Sequence, residues 1–188
     1  MKAFEIIKIG SNLLKEKEIP SFILDSEILL SKTLKKSREE ILTNLNQKVH
    51  PNEILTFKKY LKRRSYNEPI AYILGEKEFC SKNFIINKDT LIPRPETELL
   101  VEELIKIYKE KKVVILDIGT GSGCIILSLL STLQNSLGIG VDISKNAIKT
   151  AKKNAHKLEL TKRVKFFNLS FESVFYKKFD NTLFEKPA

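Results

Sequence analysis

Three glycines at alternate positions follow an acid in the run Val113-Val114-Ile115-Leu116-Asp117-Ile118-Gly119-Thr120-Gly121-Ser122-Gly123. Glycine at such places lets the backbone turn tightly and lets a ligand approach the main chain. A dinucleotide fingerprint would need glycine at 124, which is Cys124, and no lysine follows at the spacing of a triphosphate loop. A second acid, Asp142, stands about 20 residues beyond the turn, where a ribose-binding carboxylate belongs in folds of this kind. It reads either as a double acceptor for ribose hydroxyls or as a strand-end acid capping the next helix. Phe171 is placed either to stack on a base or to fill a core. Arg94 lies between Pro93 and Pro95, as a side chain aimed at a ligand mouth or as part of a rigid lead-in to a helix.

The elements that must position these residues are legible around them. Residues 113–116 form an apolar run that Asp117 ends, 113–117 being expected as a central parallel strand buried on both faces, and Cys124–Leu130 reads as a helix. Strand, glycine turn and helix open a nucleotide-binding βαβ unit. Leu137–Asp142 is the second strand, Ser144–Leu158 a Lys-rich amphipathic helix, and Val164–Phe167 the third strand. The helix after Pro95 runs through Leu99, Leu104 and Tyr108. The pattern Asp-x-Gly-x-Gly-x-Gly resembles the first motif of S-adenosylmethionine-dependent methyltransferases, the alternative being a glycine turn with no ligand.

Residues 1 to about 75 read as helices only. Phe4, Ile7 and Leu14, with Ile6, Ile9 and Leu13, recur at helical spacing. Pro20 interrupts, Ser21 is placed to cap, and the second helix is expected from Asp25 to about Leu34. Ser37 and Glu40 form a capping box for a short third helix ending near Leu45, and Pro51 opens a fourth. Pro69–Gly75 is a helical turn stopped by glycine. Glu78-Phe79-Cys80 and Phe84-Ile85-Ile86 then flank Ser81-Lys82-Asn83 as a β-hairpin with a polar turn.

The chain has 188 residues with a formal charge of +10, but only five of its 33 basic residues are Arg. The rest are Lys spread along the whole length, which reads as a solvated surface more than a nucleic-acid footprint. No apolar run is long enough to span a bilayer and no signal-peptide pattern opens the chain. Cys80 and Cys124 read as reduced thiols in apolar contexts, and His50 and His156 have no partner at ligand spacing, so no metal site is expected. The default is a cytoplasmic protein.

Four stretches together carry a wider resemblance: Glu68–Gly75 with Glu78-Phe79, Leu91-Ile92-Pro93-Arg94-Pro95-Glu96-Thr97-Glu98, Leu116–Gly123, and Val141-Asp142-Ile143-Ser144. On these the chain resembles the HemK/PrmC-type protein-(glutamine-N5) methyltransferases that modify peptide-chain release factors. The resemblance implies an α/β protein. Its parts would be an N-terminal helical bundle that binds release factor (1–75), a β-hairpin connector (76–92) and a Rossmann-like methyltransferase domain (93–188). It implies S-adenosyl-L-methionine as cofactor, the glutamine of the release-factor Gly-Gly-Gln motif as acceptor, and no direct nucleic-acid or membrane partner. By position, Gly119, Thr120, Gly121, Ser122 and Gly123 would wrap the methionine part and Asp142 the ribose. Phe171 would lie near the adenine, and Asp117 and Arg94 complete the cofactor set. Ser170 stands where the family commonly has an acid, and Cys80 where it often has Trp. The family's Asn-Pro-Pro-Tyr substrate motif would follow a fourth strand begun at Phe179-Asp180, but residues 181–188 do not spell it, so no catalytic residue is assigned. The expectation is of a domain incomplete at its C-terminal end, with no release-factor methylation by this chain alone. A base-modifying amino-methyltransferase and a non-catalytic family member are the competing readings.

Overall fold

A computed structural model describes residues 1–176. The chain divides into two compact units, Met1–Leu74 and one that begins at Gly75.

The first unit is helical: α1 (Ala3–Glu16), α2 (Phe22–Leu34), α3 (Arg38–Thr43), α4 (Pro51–Ser65) and α5 (Ile70–Leu74). Ile6, Leu14, Leu29, Leu30, Ile41, Phe57 and Leu61 make its core. Both expected stripes of α1 are split: Ile6 and Leu14 point inward with Ala3 and Gly10, while Phe4 and Ile9 stay exposed. A helix packed on one side buries one stripe. The two helices α1 and α2 approach closely at Gly10, where a Cβ would collide with Ser26 Oγ and the Phe57 ring. The Ser37–Glu40 capping box forms as the sequence predicts, with Ser37 Oγ accepting from Glu40 N–H at 3.1 Å. Ser21 does not cap α2. Its hydroxyl donates to Asp25 Oδ2 at 2.7 Å, an oxygen also held by Arg64 Nε at 2.6 Å. That contact turns the hydroxyl towards Asp25, and α2 starts three residues before Asp25.

The second unit opens with the antiparallel pair β1 (Glu76–Phe79) and β2 (Lys82–Ile85). Its turn is Cys80-Ser81, not the expected Ser81-Lys82-Asn83, and both turn residues are left-handed at φ 47° and 57°. Burial explains the choice. In this register Phe79 pairs with Lys82 and Lys77 with Phe84, which puts both phenylalanines on one face. A one-residue slip would turn one ring to solvent. Both rings are buried and meet edge-on with centroids 6.2 Å apart.

After α6 (Glu96–Tyr108) come β3 (Val114–Ile118), α7 (Cys124–Thr132), β4 (Leu137–Asp142), α8 (Lys145–Lys157), β5 (Val164–Asn168) and α9 (Phe171–Tyr176). The sheet is parallel in the order β3-β4-β5. Gly138 and Gly140 let neighbours close over β4: a Cβ at 138 would lie 2.8 Å from Ile126 and Leu130, and one at 140 would lie 2.5 Å from the Phe166 ring. The face bearing Gly138, Gly140 and Phe166 is therefore packed tightly. The opposite face is not. Val114, Leu116 and Ile118 are 45, 42 and 44 % exposed, so the expectation of a strand buried on both faces fails. Among the described residues, the apolar cluster on that face gathers Val174 of α9 over Ile139 and Val141 and does not include β3. The fourth strand expected at Phe179-Asp180 lies outside the described residues. No helix among the described residues is long and apolar enough to cross a membrane.

Candidate functional site

Parallel strands put all their carboxyl ends on one edge of the sheet, and loops there form a crevice. The glycine turn fills this edge between β3 and α7. Gly119, Gly121 and Gly123 take φ values of 77°, 55° and 78°, a region that side chains disfavour. The N–H groups of Gly119 and Thr120 both donate to the Val141 carbonyl at 2.9 Å, which folds the turn against the end of β4.

Asp142 is the second anchor. Its Oδ2 accepts from Gly121 N–H at 2.9 Å and its Oδ1 from Ser144 N–H at 2.8 Å. Ser144 Oγ then caps α8, accepting from Ala147 N–H at 3.2 Å. Each Asp142 oxygen thus engages one backbone amide and keeps a further lone pair for another donor. The register places Asp117 opposite Gly140 and Asp142 opposite Asn168, so both acids lie on one sheet face. Thr120 Oγ1 donates to Asp117 Oδ2 at 2.7 Å. Burial pushes the Asp117 carboxyl above the ordinary aspartate range; the Thr120 hydroxyl and the Ile126 N–H oppose this, and the nearby Asp142 charge adds to it. Burial likewise raises the Cys124 thiol, against a contact with Ser122. A raised thiol at the start of α7 stays protonated and is no nucleophile at neutral pH.

A cleft of about 280 Å³ opens beside these groups. Gly119, Asp142 and Phe171 line it, with Ile118, Ile143, Leu169 and Ser170. Three of the nine residues predicted to hold a cofactor therefore reach the cleft wall. Thr120 and Ser122 are 5 and 2 % exposed and lie behind it with Gly123, and Gly121 and Asp117 are half-buried. Arg94 is exposed ahead of α6 and is not on the cleft wall. Ser170 Oγ accepts from Ser173 N–H at 3.2 Å and starts α9, which carries Phe171 into place.

Two asparagines were not legible as site residues. Asn168 Nδ2 donates to the carbonyls of Asp142 and Ile143 at 2.9 and 2.7 Å, fixing the loop after β4. Asn154 is fully buried in α8 and touches the glycine turn at Ser122. A polar residue on the apolar stripe of an otherwise regular helix was the available signal for Asn154.

Residues 5–75 match the PrmC N-terminal domain family, and residues 109–186 match a methyltransferase domain family. A release factor glutamine methyltransferase from Buchnera aphidicola (subsp. Schizaphis graminum) is 43 % identical over 155 residues, covering 82 % of this chain and 56 % of its own length. The chain is thus similar to release factor glutamine methyltransferases over most of its length. A bifunctional methyltransferase from Rickettsia prowazekii is 40 % identical over 200 residues, covering 96 % of this chain and 37 % of its own length. The chain therefore spans 37 to 56 % of the length of these curated relatives. Among solved structures, an RNA methyltransferase from Salinibacter ruber in complex with S-adenosyl-L-homocysteine overlays 42 % of this chain and 50 % of its own, at 25 % identity and a TM-score of 0.36. The two family matches coincide with the helical first unit and the glycine-turn sheet.

Proposed function

We propose that the cleft binds S-adenosyl-L-methionine and that the chain serves methylation of the side-chain amide of glutamine in the Gly-Gly-Gln motif of peptide-chain release factors. The observation that carries the cofactor assignment is the Asp142 carboxylate. Two backbone amides hold it at the cleft wall with one lone pair spare on each oxygen, which suits two neighbouring ribose hydroxyls. Ile143, Leu169 and Phe171 offer an apolar surface to a flat base. The start of α7 favours a carboxylate through the helix dipole. The bound cofactor supplies an activated methyl group on a sulfonium. Gly119 lines the wall that orients it, with the rest of the turn packed behind, and Asp142 fixes its sugar. The helical unit, residues 1–75, is the part we assign to release-factor binding, on the strength of the family match over residues 5–75.

Titration calorimetry with S-adenosyl-L-methionine tests the cofactor assignment. The wild-type chain should bind, and Asp142→Ala should lose about 1.5–3 kcal/mol for each charge-assisted hydrogen bond that water does not replace. Asp142→Asn, which keeps an oxygen acceptor but no charge, should fall between. Equal affinity for the three proteins would remove Asp142 from the site, and no heat from the wild type would remove the cofactor. For the partner, release factor should co-elute with residues 1–74 in gel filtration; separate elution would end that assignment.

A further inference from the structure

We infer that Asn154 is the positioning residue of the glycine turn, its one buried amide locking the Ser122–Gly123 peptide to strand β2 so that the hairpin holds the cofactor loop in its binding shape. This rests on the cofactor reading above. Asn154 lies in α8 and is 0 % exposed. Its Nδ2 donates to the Ser122 carbonyl at 2.8 Å and to the Ile85 carbonyl at 2.9 Å. Its Oδ1 accepts from Ile85 N–H at 2.7 Å. The side chain therefore pairs with Ile85 as a neighbouring strand would, using both backbone groups that Ile85 turns away from β1.

The far end of the Ser122–Gly123 peptide is also held. Gly123 N–H donates to the Thr120 carbonyl at 2.8 Å. With its C=O on Asn154 and its N–H on Thr120, this peptide plane cannot rotate without breaking a buried hydrogen bond at each end. Such a restraint matters because glycine has the widest choice of φ and three of the five turn residues are glycine. Gly123 adopts φ 78° directly before α7, so the plane that precedes it sets where the helix start points. A loop that is ordered before the ligand arrives does not lose binding energy to its own ordering.

A nearby contact supplies the control. Asn87 Nδ2 donates to Thr150 Oγ1 at 3.0 Å, one helical turn earlier on α8. That bond ties the segment after the hairpin to the helix and does not reach the glycine turn. The experiment compares Asn154→Ala and Asn87→Ala in the whole chain. Each is assayed by calorimetry with S-adenosyl-L-methionine, by thermal melting, and by amide hydrogen exchange with and without the cofactor. Asn154→Ala should weaken cofactor binding by about tenfold or more, the equivalent of one or two buried hydrogen bonds. Asn87→Ala should bind within about twofold of wild type even where its melting point drops as far. In the wild type the cofactor should slow exchange at Ile85 as well as in the turn, and in Asn154→Ala at the turn alone. Equal losses of affinity in the two variants, or cofactor protection at Ile85 that survives in Asn154→Ala, would overturn the inference. If Asn154→Ala fails to fold, Asn154→Asp replaces it. That variant keeps the acceptor for Ile85 N–H but sets an oxygen against the Ser122 and Ile85 carbonyls, and it should show the same selective loss. Without cofactor, Asn154→Ala should still speed exchange at Ile85 and Gly123 together. Failure of the wild type to bind cofactor would count against the function proposed above, while this exchange pattern reads the lock on its own.

Discussion

At the scale of single residues, the two acids of the site have different duties. Asp142 is an open acceptor at the cleft wall, held there by two backbone amides. Asp117 sits behind, and burial favours its neutral form. The consequence for stability has a definite sign. The unfolded chain gives up the Asp117 proton in the ordinary aspartate range, while the folded chain keeps it to higher pH. Between those two values the folded state binds more protons, so this group's contribution to stability falls as pH rises and then levels above the raised value. Asp117→Asn stays neutral and still accepts from the Thr120 hydroxyl. Urea midpoints of the two proteins, compared from mildly acidic pH to neutrality, should diverge in favour of the variant as pH rises. Parallel curves would show that Asp117 ionises as freely as it does in the unfolded chain.

At the scale of elements, the hairpin is where local and tertiary preferences conflict. A two-residue turn with both residues left-handed favours Asn-Gly, yet the chain has Cys80-Ser81 at φ 47° and 57°. Left-handed backbone costs a residue with a Cβ about 1–2 kcal/mol, and glycine gives back about 0.5–1 kcal/mol of that in chain entropy. Ser81 is exposed, so removing its side chain loses no packing. Ser81→Gly should therefore stabilise the unit by roughly 0.5–1 kcal/mol, read as a rise in denaturant midpoint with an unchanged slope. A loss of stability would mean that the turn holds Ser81 by a contact, not by strain. What justifies the strained turn is the face it selects, with Phe79 and Phe84 both buried against α7 and its neighbours. Burying a large apolar side chain is worth about 1.5–3 kcal/mol, of the same order as the strain of the two turn residues.

At the scale of the whole molecule, two separate cores stand in one chain. The helical unit gathers Ile6, Leu14, Leu29, Leu30, Phe57 and Leu61, and the second gathers Phe79, Phe84, Ile126, Leu127, Leu130 and Phe166. A unit with its own core is expected to fold alone, although one of this size is of marginal stability. Residues 1–74 made alone should show helical circular dichroism and one cooperative thermal transition. A broad, non-cooperative loss of signal would mean that this unit depends on the rest of the chain. S-adenosyl-L-methionine should raise a transition of the whole chain and leave that of the isolated fragment unmoved, since a ligand stabilises only the unit that binds it.

By itself the sequence determined the signals that depend on near neighbours. The Ser37–Glu40 cap, the glycine stop at Gly75, the strand–turn–helix around Gly119 to Gly123 and the strand-end acid at Asp142 are local, because spacing and residue type fix them. The four matched stretches likewise sufficed for the resemblance to release factor glutamine methyltransferases. Only the tertiary structure decided what depends on partners distant in sequence. Ser21 gave up its cap because Arg64 draws Asp25 to it across 39 residues. The hairpin turn moved by one residue because two rings had to share a face. The strand at 114–118 is half open because burial depends on what packs above it, which an apolar run does not state. Arg94 stands among matched residues yet off the cleft wall, since a motif gives a place in the chain and not a direction in space. Asn154 is the plainest case: its partners are 32 and 69 residues away, and no spacing rule connects them.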